Sequence, residues 1–414
     1  MVWIVPSLYA LAALAAGVLL PRIEHALWPE AGSGISISSA MAIYSAVASG
    51  ALALTAIVFS LTFVMMQFSA TAYSPRLVLW LARDALMSHA LGTFTATFMY
   101  ALAALAWVDR HGSQLVPLVS AWLVVALLLA SVGMFIALIQ RVALLQINRM
   151  LTFTGDQGRR VIASLYPRPQ AAAWDATPAP RDAAPPTQVL IHRGRPCAVQ
   201  AIDVAALIRY ARSVEGAIEV AVAVGDTVME STPLLRVLGG RHIIDETLLL
   251  AAIERGEERT FEQDPKYAIR LLVDIAIRAL SPAVNDPTTA VQALDQIGDL
   301  LLRLGRRRLE IGTFQDEAGV VRLTVPFPTW EDFLRLAFDE IRSYGGASVQ
   351  VMRRMKALIA DLTALVPDER RLAVRSWADR LDRTVAAHFS DPEEQAAASV
   401  EDRQGLGLSR RSAA

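Results

Sequence analysis

The residues best placed for chemistry lie in "IRLLVDIAIRALSPAVNDP", where Arg270, Asp274 and Arg278 recur every four residues and Asn285 and Asp286 follow a proline corner. On a helix that spacing makes one charged line along an otherwise apolar cylinder, a pattern for Arg–Asp–Arg pairing. Such a helix is normally buried, and buried charges need partners. Two readings stay open. The favoured one is a paired network at a subunit or domain interface. The other is an anion site, in which two guanidiniums act beside Asn285 and the helix N-terminus at Asp286. Local signals describe the corner as a helix junction: Asp264 with Pro265, then Asp286 with Pro287, are N-cap and first-turn pairs.

A second set of polar residues lies in the apolar N-terminal part. At 100° per residue, Ser45, Ser49, Ser60, Gln67, Thr71 and Ser74 share about an 80° arc, with Phe63 on the same line. A polar stripe broken by one aromatic ring suits a pore-lining helix with a hydrophobic constriction. The competing reading is helix packing through small residues and hydroxyls. His89, Thr93, Thr97 and Tyr100 recur at helical spacing nearby, and His89 reads as an interfacial anchor rather than a proton relay. No Asp, Glu or Lys is expected within the spans, which argues against a proton- or sodium-coupled transporter.

Elsewhere the chemistry is sparse. The six histidines show no metal-ligand spacing, and no P-loop, GxSxG or GxGxxG occurs. His242 with Asp245 and Glu246 reads as a solvated turn. Cys197, the single cysteine, excludes a disulfide framework and reads as a small buried hydrophobe. Neither a cofactor nor a metal is expected, and an enzyme is the weakest of the three function classes.

The elements that must position these residues follow from hydropathy. Of 414 residues, 54% are hydrophobic and 19% charged, with the apolar excess concentrated in the first 150. Four segments are long enough to span a bilayer: about 3–20, 39–71, 88–108 and 116–145. The first is closed by Pro21 and Arg22, and the helical pattern of the fourth continues to about Met150. Arg76, Arg83, Arg141, Arg149, Arg159 and Arg160 bias the second connection and the segment after the fourth span, placing both termini in the cytoplasm. A net charge of −1 argues against nucleic acid as a partner.

Beyond the membrane domain (1–152), the sequence divides into a connector and Pro/Ala-rich linker (153–188) and a small β-rich subdomain (189–240). A mainly helical segment (241–389) with a hairpin near 309–326 follows, and then a disordered tail (390–414). "QVLIHRGRPCAVQAI" reads as a local hairpin, Asp203 as a helix cap, and Thr329 with Asp332 as a capping box. The fold expected is membrane α-helical, four transmembrane helices, plus a cytoplasmic α+β domain.

"MQFSATAYSPRLV", "GDTVMESTPLLRV", "QDPKYAIRLLVDIAIRALSPAVNDPTTA" and "VRLTVPFPTWEDFLRLAFDEIR" together resemble domain-of-unknown-function family 2254 of bacterial membrane proteins. The resemblance covers nearly the whole chain and implies an inner-membrane location, four spans and a cytoplasmic domain; it implies no reaction. The functional expectation is an oligomeric pore or channel-like protein in the lipid bilayer, with an ion or small anionic ligand. The alternative is a non-conducting scaffold or signalling protein. Four spans cannot enclose a wide pore, so the first reading requires a homo-oligomer.

Overall fold

The computed structural model describes residues 4–28, 32–72, 85–111, 116–143, 147–170 and 185–408. The chain divides into two compact units, Met1–Gln146 and Ile147–Ala414.

The first unit consists of α1 (Ile4–Leu27), α2 (Ile37–Ala72), α3 (Ala85–His111) and α4 (Leu118–Ala143), each long and apolar enough to cross a membrane. Helix α3 is central, packed by α1, α2 and α4. Small residues allow the approach: a Cβ on Gly17 of α1 would lie 2.6 Å from Ala103 Cβ on α3. Ala40, Val47 and Ala48 of α2 and Ala96, Ala101 and Ala104 of α3 fill the contact. The Thr97 and Ser131 hydroxyls meet at 2.8 Å between α3 and α4, and Tyr9 Oη lies 3.1 Å from His89 Nδ1.

Two expectations for this unit are corrected. The first span does not stop at Leu20; Pro21 sits buried inside α1, which runs on to Leu27. The spans also contain a carboxylate, because Glu24 of α1 is only 2% exposed. It is satisfied as a cap: its two oxygens accept from the Val119 and Ser120 amides at 2.7 and 3.1 Å, and from Ser120 Oγ at 3.2 Å. The first amides of α4 have no carbonyl four residues earlier, and a carboxylate there also suits the helix dipole.

The second unit opens with α5 (Ile147–Leu165), which covers the start of the segment expected as a connector. Met150, Leu151, Thr154, Val161 and Ile162 form its buried stripe. A Cβ on Gly158 would meet Leu300 and Ala268, so glycine brings α5 against two later helices. Gly155, Gly158 and the polar face hid this amphipathic helix in the sequence.

Strands β1 (Pro186–Ile191), β2 (Cys197–Ile202), β3 (Ala217–Val220), β4 (Thr227–Val228), β5 (Pro233–Leu238), β6 (Ile253–Gly256), β7 (Thr313–Gln315) and β8 (Val321–Thr324) form two sheets. The larger has the order β1-β5-β3-β8-β7 and the smaller β4-β2-β6. All pairings are antiparallel except β3 with β8. The expected β1–β2 hairpin does not form, because β1 pairs β5 while β2 pairs β4 and β6. Their connection is tied instead to the 229–232 turn: the His192 amide donates to Thr232 O and the Ser231 amide to His192 O. The β-rich part is also larger than 189–240, since the β7–β8 hairpin adds to its sheet and Leu323 and Val325 enter its core.

Helices α6 (Val204–Ser213) and α7 (Glu246–Ala251) begin at the side-chain caps Asp203 and Asp245. The helical part comprises α8 (Pro265–Ala279), α9 (Pro287–Gly305), α10 (Trp330–Tyr344), α11 (Val349–Leu365), α12 (Asp368–His388) and α13 (Pro392–Ala398). Asp264, Asp286 and the Thr329–Asp332 capping box start α8, α9 and α10. The tail is not disordered through residue 408. Ala398 is fully buried, and the 3% exposed Asp402 carboxylate accepts from the Gln404 and Leu408 amides at 2.9 and 3.2 Å. Arg403 reaches Asp361 of α11 at 2.8 Å.

Candidate functional site

In the first unit, Ser45, Ser49, Ser60 and Phe63 all lie on the face of α2 that its neighbours leave open, and Phe63 is 56% exposed. Alternation with the buried residues Tyr44, Val47, Ala48, Ala51 and Val58 produces this arrangement, since those positions turn toward the other helices. Gln67 and Thr71 belong to the same helix beyond the described side chains; Ser74, Arg76 and Arg83 lie outside the described residues. Of the third-span residues, Thr97 and Tyr100 are buried at 1% exposure each, so they pack within the bundle rather than joining the open face.

In the second unit, the charged line of α8 is engaged. Arg270 bonds Asp274 Oδ1 at 2.6 Å and, across to α10, Glu340 Oε1 at 2.5 Å. The two carboxylates raise the Arg270 pKa, with the Glu340 bond the largest cause. Arg278, near the end of α8, has an interaction of its own. Asp286 spends its carboxylate on the Thr289 amide and hydroxyl at 3.1 and 2.6 Å. Asn285 is exposed in a left-handed conformation, φ 48°, and its amide donates to Ser281 O. The corner is thus a hydrogen-bonded helix junction, with Arg270 joining α8 to α10.

A cavity of about 690 Å³ opens where the sheets meet the helices. Two capped helix starts border it, Asp203 before α6 and Asp264 with Pro265 and Lys266 at α8. Phe314 of β7 and Val325, Pro326, Phe327 and Pro328 after β8 supply an apolar wall, and Glu254 and Glu262 add carboxylates. That volume and mixture suit a small organic ligand.

Asp264 anchors the site. At 1% side-chain exposure it accepts from the Tyr267 amide at 3.2 Å and from Arg259 Nη2 at 2.6 Å. Burial pushes its carboxyl above the usual range, against the pull of Arg259. Tyr166, fully buried at the end of α5, has its phenol pushed up by burial and by the Asp264 and Glu310 charges. The β3–β4 turn closes over the Asp264–Arg259 ion pair at Gly225, φ 91°, where a Cβ would lie 2.3 Å from Asp264 Oδ2. Sequence reasoning found Asp203 and Asp264 as caps but missed the cavity, because the β2–β6 pairing and the β7–β8 insertion that shape it are non-local.

Cys197 is half-buried, its Sγ 3.7 Å from His192 Nε2. Asp245 of the His242 cluster is occupied as the α7 cap. Among the described residues no group of three or more His, Cys, Asp or Glu is arranged to hold a metal ion.

Four bilayer-length helices followed by a folded α+β unit define a multi-span membrane protein with a substantial C-terminal domain. The chain belongs to the family described as predicted membrane protein (DUF2254), whose model matches residues 1–361. It is similar to uncharacterized proteins of Mycobacterium tuberculosis (strain CDC 1551 / Oshkosh) and Mycobacterium bovis (strain ATCC BAA-935 / AF2122/97). Each is 27% identical over 351 residues, 82% of this chain and 67% of the relative. No solved structure matches.

Proposed function

We propose that this chain is the protomer of a homo-oligomeric, pore-forming protein of the bacterial inner membrane, with both termini in the cytoplasm. The observation that carries this reading is the hydroxyl arc of α2: Ser45, Ser49 and Ser60 are exposed with Phe63 on the same line, within a broad open face that also holds Leu52, Ile57 and Phe59. Facing lipid, three hydroxyls on one arc gain nothing; around a symmetry axis they wet a path, and Phe63 narrows it. The Arg-rich flanks support the cytoplasmic placement of the C-terminal unit. Its 690 Å³ cavity supports a regulatory role for that unit through a small ligand. The same cavity favours the second reading, a non-conducting signalling protein that responds to such a ligand.

Thiol labelling separates the two. In a Cys197→Ser background, Ser45→Cys, Ser49→Cys and Ser60→Cys are exposed in intact membranes to a membrane-impermeant thiosulfonate. The pore reading expects modification at all three positions. Protection at all three would leave the signalling reading.

A further inference from the structure

A second cavity, of about 560 Å³, lies between α11 and α12. Its apolar lining is kept low by small residues, Ala360 and Ala364 on α11 and Ala378 on α12, beside Ile359 and Leu381. Three cations border it: Lys356 on α11, and Arg371 and Arg375 one turn apart on α12. Glu401 is the one acidic residue of the lining, which leaves it net positive.

These cations are unequally satisfied. Lys356 Nζ is held 2.5 Å from Asp382. Arg371 binds Asp368 at 2.6 Å through Nη1, but that carboxylate is 85% exposed and competes with water. The Arg371 Nε donor is buried and has no acceptor. Arg375 is exposed and makes no ion pair among the described residues. A buried donor without an acceptor is destabilising, and a groove that retains one beside a free guanidinium is short of an anion. Guanidinium groups bind carboxylate and phosphate through paired N–H donors, while the alanine floor offers area to an apolar body.

We propose that the α11–α12 groove binds a small amphipathic anion, its carboxylate or phosphate head held by Arg371 and Arg375 and its apolar body lying over Ala360, Ala364 and Ala378. The inference is independent of pore formation and of the 690 Å³ cavity.

Titration calorimetry on the full chain in detergent tests it with four water-soluble probes: phenyl phosphate, benzoate, inorganic phosphate and benzylamine. One site for phenyl phosphate or benzoate is expected, the tighter of the two identifying the head group, with benzylamine silent and inorganic phosphate much weaker. Arg375→Gln, on an exposed side chain, should weaken binding about tenfold or more, as expected for one charge-assisted contact. Ala364→Trp, also at an exposed position, should abolish binding by filling the groove without lowering Tm. No heat with either aromatic anion, an affinity untouched by both substitutions, or inorganic phosphate binding as tightly as phenyl phosphate would overturn the proposal.

Discussion

Single residues decide where charge is tolerated in this chain. Glu24 shows how a carboxylate can sit in a spanning helix: three donors at the start of α4 surround it. Glu24→Ala leaves the Val119 and Ser120 amides without their side-chain acceptor and removes a favourable dipole contact, so a loss of about 1–2 kcal/mol is expected, read as a lower Tm in detergent. At the β7–β8 turn, Asp316 accepts from Arg322 Nε at 2.8 Å and from the Val320 and Ala318 amides at 3.0 Å each. Arg322 first, then the amides, hold its pKa below the usual aspartate value. A depressed folded pKa contributes stability that is present above the unfolded value, about 3.9, and is lost as pH falls through the folded one. Asp316→Asn should therefore lower Tm near neutrality and remove part of the decline below about pH 4. A wild-type-shaped acid limb in the variant would contradict this.

Elements show which signals the sequence carries. Cap residues were legible because they act locally: Asp203, Asp264, Asp286 and the Thr329–Asp332 box all sit where spacing places them. The spans were legible because lipid demands length and apolarity, which composition records directly. Helix α5 was hidden by its glycines, and those glycines serve packing partners more than 100 residues away. The β1–β2 hairpin was misread because both strands satisfy their amides non-locally, and a turn sequence cannot say which neighbour a strand takes. Glu24 was missed because the local reading ended the first span at Pro21. At the β3–β4 turn, Gly225→Ala imposes both a left-handed strain and a collision with Asp264. A loss of about 1–3 kcal/mol is expected from that strain, measured by thermal or denaturant unfolding. A compensating Asp264→Ala should recover little of it, since the φ cost remains.

At the scale of the whole molecule, the chain joins a membrane bundle to an α+β unit, each with its own core. The bundle leaves Ser45, Ser49, Ser60 and Phe63 uncovered. Its periodicity was visible in the sequence; the cavity at Asp264 was not, because it exists only after distant strands pair. The central claim is that copies of this chain close around the α2 face to form a conducting path. Ion flux and single-channel current from purified protein in liposomes, with the mass of the detergent-solubilised particle, test that claim most directly. An oligomer is predicted whose conductance rises when Phe63→Ala removes the constriction and whose mass is unchanged. A folded protein that passes no ions in either form, or a monomer, would contradict it.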